Sequence, residues 1–293
     1  MSTSPAAAVQ LIDGILVDTS VAFVDKKGNP KKGFEKRQRE LLGKLSSYLP
    51  RFLEPEEKVL LVTTACSPMT FWEQYTSGWM IYYIKRALLV FTDRRMIHVP
   101  TTTNYGWRDS IAQVRWGDCE KIKLGWGRFE LKYRTGKTER FYYVHGKERA
   151  QLKALIPRLS SVAPVAAPVG RRHLCPRCGH ALEAGLVRCP GCQLEFKNKK
   201  EALRLSLLFP GGGYFYTRHT GLGVLDVLAE GWIIILLLVS VSSMIRGEAG
   251  AEFAVALFAV ALFFEKLFTV YHSNHYLSEF IPRDKKVDPL MAR

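Results

Sequence analysis

The chain has 293 residues, of which 47% are hydrophobic, and it carries a formal net charge of +15. That length accommodates two or three domains, since a domain commonly spans about 100–200 residues. The charge favours an anionic partner, either phospholipid headgroups or nucleic acid. Residues 1–20 have no basic start and are interrupted by Asp13 and Asp18, a pattern that argues against a signal peptide. We therefore expect the N-terminal domains to stay on the cytoplasmic side of a membrane.

The N-terminal segment, residues 1–55, contains one amphipathic pattern. Between positions 34 and 49, apolar residues recur at roughly helical spacing and basic residues fill the other face, which predicts a helix. The apolar residues are Phe34, Leu41, Leu42, Leu45, Tyr48 and Leu49, and the basic residues are Lys36, Arg37, Arg39 and Lys44. Such a helix either lies on an anionic membrane or packs against the next domain. The short apolar face favours packing.

Residues 56–160 follow a period-two pattern and are predicted to form a β-rich domain. The predicted strands are 58–65, 86–92, 95–99, 111–116, 119–124, 128–134 and 138–144. In the sixth of these, Phe129, Leu131 and Tyr133 alternate with charged residues, as in a half-buried antiparallel strand. One amphipathic helix follows, with Leu152 and Leu155 on its apolar stripe. Many short strands closed by one helix indicate a barrel or a sandwich.

A hairpin motif lies at residues 87–99, with the sequence ALLVFTDRRMIHV. It resembles the hydrophobic–Thr-Asp-x-Arg–hydrophobic hairpin of bacterial pleckstrin-homology-like (PH-like) and GRAM-like domains, with Thr92, Asp93 and Arg95 at the polar positions. The resemblance implies a PH-like β-barrel with one C-terminal helix. It also implies a lipid-binding module, although many such domains bind peptides or self-associate instead.

The cysteine spacing indicates a metal site. Residues 161–170 have the composition of an extended linker, and a Cys-x2-Cys pair on each side of ten intervening residues follows. The four cysteines are Cys175, Cys178, Cys189 and Cys192. Two such knuckles complete a tetrahedral sulfur site with no open position, which predicts a structural Zn²⁺ rather than a catalytic one. Two redox pairs or a disulfide ladder remain the alternative, and a reducing cytoplasm favours the metal.

The cysteine segment is also similar to the short zinc ribbon of bacterial membrane proteins, which implies a ribbon over residues 171–197. Gly179 and Gly191 are expected to provide the backbone freedom of the knuckle turns, while Gln193 stands where that family often has glycine. The remaining cysteines, Cys66 and Cys119, have no partner spacing and are expected to be small buried residues. His173 and His180 are expected at the surface.

Two apolar runs, residues 222–245 and 251–271, predict a transmembrane hairpin within residues 222–272. Each is long enough to cross a hydrocarbon layer of about 30 Å. Basic residues are concentrated before the first run and after the second, where Lys285 and Lys286 lie, whereas the loop has only Arg246. The positive-inside rule then predicts that both termini, including the tail 273–293, are cytoplasmic. A buried soluble hairpin is the alternative.

The segment 198–221 precedes the hairpin and predicts an interfacial or re-entrant element, because Pro210 and three glycines interrupt a short apolar stretch. Its sequence, PGGGYFYTR followed by Gly221 and Gly223, resembles the entry of small two-transmembrane-domain proteins. These bacterial resemblances together imply the inner, cytoplasmic membrane and a multidomain chain: a β-rich PH-like barrel, a four-cysteine zinc ribbon and an α-helical transmembrane hairpin.

Charged residues inside the predicted spans suggest a pairing. Asp226 and Glu230 lie one helical turn apart on the first span, and Glu265 and Lys266 lie on the second. Glu230 and Lys266 reach matching depths of about 10 and 9 Å at about 1.5 Å per residue. Lys266 is therefore expected to pair with Asp226 or Glu230, which offsets a desolvation penalty of about 2.5–3.5 kcal/mol per charge. The alternative role is an ion or proton path.

These features favour a membrane-anchored adaptor that faces the cytoplasm, with the ribbon as a spacer and a protein partner or a second copy as an alternative to lipid. Basic residues near Trp107, Trp116 and Trp126 are candidates for an anionic-lipid surface, together with basic residues beside the membrane. The lipid-binding candidates are Lys121, Lys123, Arg128, Lys132, Arg134, Lys197, Lys199 and Lys200. Nucleic-acid binding and a subunit of an oligomeric channel or transport complex are the alternatives. The chain has no Walker loop, dinucleotide turn or nucleophile elbow, so we expect no enzyme.

Overall fold

The computed structural model describes residues 9–25 and 28–284. It contains a mixed β-sheet region, a cysteine cluster and two long apolar helices. The described residues fall into two compact units, residues 9–183 with 190–192 and residues 184–189 with 193–284.

The first unit holds all of the strands. They are β1 (Val9–Ile12), β2 (Ile15–Asp18), β3 (Val59–Cys66), β4 (Arg86–Thr92), β5 (Arg95–Pro100), β6 (Ile111–Arg115), β7 (Cys119–Leu124), β8 (Phe129–Tyr133), β9 (Thr138–Phe141), β10 (Arg172–Leu174) and β11 (Ala181–Leu182). The helices are α1 (Thr19–Ala22), α2 (Lys32–Leu45), α3 (Phe71–Ser77), α4 (Ile81–Ile84) and α5 (Gly146–Ser160), with 3-10 turns at Leu49–Arg51, Gly78–Met80 and Trp116–Asp118. All seven strands that the period-two pattern predicts are present as β3 to β9.

The strands form two open sheets rather than a closed barrel. Eight strands pair in the order β1-β2-β3-β4-β5-β6-β10-β11, and β7-β8-β9 form a separate sheet. The chain leaves the large sheet at Trp116–Asp118, and the free edge of β6 pairs with β10 instead of with β7. Among the described residues, the predicted barrel is therefore not formed as one continuous sheet. A single bridge between Cys66 and Tyr142 links the end of β3 to the residue after β9.

The large sheet is buried on both faces. The three-stranded sheet and α5 share one hydrophobic core with it, which includes Phe91, Phe129 and Leu152. A second core joins the opposite face of the same strands to α2, through Leu42 and Leu45. Burial on both sides explains why all eight residues of β3 are buried and form an unbroken β-rich run. Strand β8 faces solvent on one side and keeps its alternation.

Helix α2 belongs to this packing. The side chain of Gln38 donates to the Val62 carbonyl at 2.8 Å and accepts from the Val62 amide at 2.9 Å. Phe34, Leu41 and Leu42 are buried on the same helix. Its apolar face therefore packs on the β-rich domain, as the short pattern favoured, and is not available to a membrane.

The segment 161–170 contains no helix or strand and is hydrogen-bonded to the β-rich domain. The Val165 amide donates to the Gly117 carbonyl at 3.4 Å, and the Val169 amide donates to Asp118 Oδ1 at 3.2 Å. Strand β10 then pairs antiparallel with β6, with Leu174 opposite Ile111. The first cysteine knuckle thus continues the domain's own sheet and is not a separate spacer on a free linker.

The second unit consists of helices. They are α6 (Lys199–Leu208), α7 (Gly212–Tyr216), α8 (Thr220–Ile245) and α9 (Ala251–Tyr276), followed by a 3-10 turn at Leu277–Glu279. The chain reverses between α6 and α7, where Gly211 has a φ of +67°. A side chain at Gly213 would collide with the hydroxyls of Ser206 and Ser273. The three-glycine run is thus required by close packing between the short helices and α9.

Helices α8 and α9 are long and apolar enough to cross a membrane. Only 11% and 6% of their most apolar windows are buried, whereas a core helix of a soluble protein is mostly buried. Trp232, Phe253 and Phe263 are among their exposed side chains. The apolar faces of this hairpin are therefore open to the surroundings.

Candidate metal centre and charged surfaces

The two cysteine knuckles have the same backbone hydrogen bonds. Within the first, the Gly179 amide donates to the Cys175 carbonyl at 2.9 Å, and in the second the Gln193 amide donates to the Cys189 carbonyl at 2.9 Å. Gly179 has a φ of +73° and Gln193 a φ of +58°. The positive-φ position of the second knuckle is thus Gln193, whereas the sequence led us to expect Gly191. Gly191 lies instead against His180 and the Cys178 sulfur.

The four thiols converge on one point. The Sγ atoms of Cys175, Cys178, Cys189 and Cys192 all lie within 4.8 Å of one another. Cys175 Sγ and Cys192 Sγ are 3.5 Å apart, too far for a disulfide of about 2.05 Å. A tetrahedral metal with sulfur ligands at about 2.3 Å separates the sulfurs by about 3.8 Å. The cluster therefore fits one metal ion, which these four sulfurs would coordinate fully.

Cys66 and Cys119 lie outside the cluster and are buried, as predicted. Burial raises the pKa of the Cys66 thiol to about 11. Burial, with a smaller contribution from Asp118, raises the pKa of the Cys119 thiol to about 12. Both thiols stay protonated at neutral pH and are poor nucleophiles and poor metal ligands.

The Thr-Asp-x-Arg motif is explained by a buried carboxylate that sequence reasoning missed. Arg95 Nε and Nη2 donate to the two oxygens of Glu57 at 2.9 and 2.6 Å. Thr92 Oγ1 donates to Glu57 Oε1 at 2.7 Å. Asp93 Oδ1 accepts from the Lys58 amide at 3.0 Å. All three polar positions of the motif therefore fasten residues 52–58 to the β4–β5 hairpin.

The electrostatics of this pair are unusual because Glu57 is 1% exposed and Arg95 is 4% exposed. Burial opposes ionisation of Glu57, but its bonds to Arg95, the Arg95 charge, the Glu54 backbone and the Thr92 hydroxyl together lower its pKa below the ordinary value. Glu57 is thus a carboxylate at neutral pH. No sequence signal marks it, since its partner lies 38 residues further along the chain.

The proposed lipid-binding residues of the β-rich domain lie on or beside the outer face of the three-stranded sheet. Lys121 and Lys123 of β7 and Arg128 before β8 are exposed. Lys132 pairs with Glu120 at 2.9 Å, and Arg134 donates to the Gly117 carbonyl at 3.1 Å. The structure therefore places basic groups together, but neutralises Lys132 locally.

The tryptophans expected beside these basic groups differ from one another. Trp126, in the β7–β8 turn, is 97% exposed. Trp116 is a core residue, 2% exposed, so its predicted role at a lipid surface is wrong. Trp107 is half-buried and stacks on Tyr48 with ring centroids 4.4 Å apart.

The basic residues at the start of α6 differ in exposure and in their contacts. Lys199 and Lys200 are exposed in the first turn of α6. Lys197 donates to the Tyr216 carbonyl, and its Nζ lies 4.8 Å from the Tyr216 ring. Lys197 therefore serves a packing role within the second unit.

The charged residues of α8 and α9 meet. Lys266 Nζ is 2.5 Å from Glu230 Oε1 and donates to the Ser206 carbonyl at 2.8 Å. One carboxylate oxygen from each of Asp226, Glu230 and Glu265 lies within 4.8 Å of the others. The expected pairing of Lys266 is thus with Glu230, and Glu265 joins the group unexpectedly. Three carboxylates are hard oxygen ligands of the kind that Mg²⁺ or Ca²⁺ takes.

Sequence reasoning passed over the segment that contains α3 and α4, which carries a group of exposed aromatic side chains. We call this group the aromatic surface. Its members are Phe71, Trp72, Tyr75, Trp79 and Tyr83, which are 71%, 58%, 72%, 71% and 46% exposed. The available signal was the density of aromatic residues between positions 71 and 83.

Comparisons with known proteins add little to this description. No protein family matches the chain, and no curated protein is significantly similar to it. Among solved structures, the chain is similar to the C-terminal domain of an unknown protein from Leishmania infantum, with 14% sequence identity and a TM-score of 0.26. That similarity covers 43% of this chain and 96% of the Leishmania domain. A TM-score this low shows no shared fold.

Proposed function

We propose that the protein is a membrane-anchored binding protein, held in a bilayer by α8 and α9, whose β-rich domain engages anionic lipid. The observation that carries the proposal is the combination of an exposed apolar hairpin with a basic outer face on a separate sheet. A hydrophobic hairpin fixes the chain to a bilayer, and basic residues near that surface gain about 1 kcal/mol each from anionic lipid. The protein acts by binding and has no catalytic role in this proposal.

The PH-like assignment of the β-rich domain is supported by its order of elements. Four antiparallel strands, β3 to β6, are followed by the three-stranded sheet and then by α5. Two sheets around one core with a C-terminal helix is the arrangement that the Thr-Asp-x-Arg resemblance implies. The Cys66–Tyr142 bridge joins the two sheets at one corner.

Zinc is the metal that best suits the cysteine cluster. Thiolates are soft ligands, and four of them in a tetrahedron are typical of structural Zn²⁺. The ribbon would then be a structural element that extends the β-rich domain.

The orientation follows from charge. Arg218 precedes α8 and Arg283 follows α9, whereas Arg246 in the loop is paired with Glu248. Lys285 and Lys286 lie outside the described residues. Because the basic residues flank the hairpin on the side opposite the loop, the positive-inside rule predicts that both termini are cytoplasmic. The membrane in this proposal is the inner membrane of the cell.

The lipid proposal predicts a salt-sensitive contact. With the full chain in nanodiscs, hydrogen exchange at β7 and β8 is expected to slow several-fold when anionic lipid replaces part of the neutral lipid, and to recover in high salt. Reversing Lys121 and Lys123 to glutamate is expected to remove the difference. The matched control reverses Lys32 and Lys36, which are exposed on α2.

Equal exchange in neutral and anionic nanodiscs would contradict lipid binding and favour a protein partner or a second copy of the chain. Slowing by duplex DNA, with no response to lipid, would favour the nucleic-acid alternative. Loss of lipid protection in the Lys32 and Lys36 control would show that only the overall charge matters.

The carboxylate group in α8 and α9 favours a second candidate function, a subunit of an oligomeric cation path. Replacing Lys266 with methionine leaves Glu230, whose side chain is 2% exposed, without its cation. We expect a lower thermal midpoint for this variant in detergent and partial recovery in Lys266→Met/Glu230→Leu, since a lone buried charge is costly. Arg246→Met, in the exposed loop, is the control.

The cation path itself is tested by measuring cation flux from reconstituted vesicles. Flux that Glu265→Gln abolishes would favour transport over a purely structural role of the carboxylates.

A further inference from the structure

We infer that the aromatic surface enters the headgroup layer of the bilayer and holds the β-rich domain against the membrane. The inference deepens the proposed function and rests on it, because it requires a chain anchored in a bilayer. It names a contact that is separate from the basic face of β7 and β8. The segment that carries these rings is fixed to the domain by buried contacts.

The segment that bears the aromatic surface is fixed to the β-rich domain by a buried ion pair, a helix cap and a buried apolar side chain. Glu73 Oε1 and Lys85 Nζ are 2.9 Å apart, with side chains 0% and 5% exposed. Thr70 and Glu73 form a capping box at the start of α3, which fixes the helix entry. Ile81, the first residue of α4, is fully buried. The outward position of the aromatic rings is therefore set by the fold and does not result from a loose loop.

The exposed rings contact one another, and no other described part of the chain covers them. The centroids of Phe71 and Trp72 are 5.6 Å apart, and those of Trp79 and Tyr83 are 5.7 Å apart. Clustered apolar exposure of this kind on a soluble surface marks an interaction site. Tryptophan and tyrosine in particular prefer the boundary between water and hydrocarbon, because each has an apolar body and a polar tip.

Trp126, a further exposed aromatic residue, lies at the same end of the domain as the aromatic surface. The rings of Tyr82 and Tyr143 are 4.2 Å apart, and the Val144 amide donates to the Gly127 carbonyl at 3.1 Å. These contacts connect α4 to the turn that carries Trp126. The aromatic surface and the β7–β8 turn therefore form one exposed end of the β-rich domain.

The charge of this end selects an anionic bilayer as the occupant. Between positions 67 and 86 the sole acidic residue is Glu73, which is buried and neutralised by Lys85. Arg86 lies at the border, with Cζ 4.8 Å from the Tyr83 ring, and Arg128 flanks the turn. A layer of lipid phosphates above hydrocarbon supplies partners for both the cations and the rings.

The test uses tryptophan fluorescence of the full chain in vesicles of neutral and anionic phosphatidyl lipids, with and without lipid brominated high on the acyl chains. All variants carry Trp126→Phe and Trp232→Phe, which remove the fluorophores in the β7–β8 turn and within α8. Bromolipid is expected to quench this parent, and the quenching is expected to fall at least twofold in Trp72→Phe/Trp79→Phe. The matched control, Trp107→Phe, removes a half-buried ring and is expected to leave the quenching unchanged.

A second pair, Phe71→Ser/Tyr75→Ser, keeps both reporter tryptophans and is expected to lower their quenching at least twofold, with the β-sheet circular dichroism unchanged. Equal bromolipid quenching with and without Trp72 and Trp79 would overturn the inference. Quenching in neutral vesicles, without slower hydrogen exchange at β7 and β8 on anionic lipid, would support the aromatic contact but contradict anionic-lipid binding. Slower hydrogen exchange on anionic lipid without quenching would support anionic-lipid binding but contradict the aromatic contact.

Discussion

Replacing Arg95 with methionine is expected to destabilise the β-rich domain by about 3–5 kcal/mol, the typical effect of removing one partner of a buried ion pair. Glu57 would be left without its cation in a site that is 1% exposed and would lose two of its hydrogen bonds. Glu57→Gln is expected to act in the same direction, because it leaves the buried Arg95 with only the partly exposed Glu54, 3.8 Å away, as a counter-charge. Urea unfolding of the full chain in nanodiscs, followed by tryptophan fluorescence, to which the core residue Trp116 contributes, measures the change.

The neighbouring Arg94 provides the control for this prediction. Arg94 pairs with Glu54 at 3.0 Å but is 43% exposed, so Arg94→Met should change stability far less than Arg95→Met. A double variant, Glu57→Leu/Arg95→Met, is expected to recover part of the loss, since it removes both charges. Equal effects of Arg94→Met and Arg95→Met would contradict the role of burial.

The same pair makes the domain sensitive to acid. The pKa of Glu57 is lower in the folded protein than its ordinary value, so the ionised carboxylate stabilises the fold at neutral pH. That contribution is fully present above about pH 4.3, the usual pKa of glutamate. It is lost as pH falls from there through the lower pKa that Glu57 has in the folded protein. Glu57→Gln should lose this component of the acid transition.

Cys189→Ser is expected to abolish metal binding and to unfold the ribbon, because a structural tetrathiolate site contributes on the order of 10 kcal/mol to folding. Cys189 is fully buried in the cluster, and a serine hydroxyl is a poor substitute for a thiolate ligand. Elemental analysis of the purified chain should give one zinc for the parent and close to none for the variant.

Thiol alkylation at pH 8 gives an independent measurement of the metal site. Removing the metal with a chelator is expected to make four thiols reactive, while Cys66 and Cys119 react only after denaturation because burial raises the pKa of each. Cys119→Ala is the matched control and should retain the metal. Six equally reactive thiols, or a disulfide among the four, would contradict a metal site.

Much of the fold was predictable because its signals are local. The alternation in β8 and the apolar runs that became α8 and α9 depend on neighbours a few residues away. The four cysteines were predictable for the same reason, since each Cys-x2-Cys turn brings its two thiols to one side. The exposed hairpin and the cysteine cluster follow from such patterns.

The remainder depends on contacts between distant residues. Nothing near Glu57 in the sequence indicates that Arg95 lies against it, and β10 has only three residues that signal a strand. The open sheets also differ from the expected barrel because β6 meets β10, a choice made by tertiary pairing. Trp116 was assigned to a surface from its neighbours, although its side chain packs into the core.

The β6–β10 pairing also bears on how the protein would misassemble. With β10 in place, the large sheet ends in β11, a strand of only two residues, which offers little template to another chain. Release of the knuckle would leave the five residues of β6 as an open edge with unpaired amides and carbonyls. Open edges recruit strands from other molecules. Loss of a metal held by the four cysteines is therefore expected to increase aggregation, because the knuckle covers this edge.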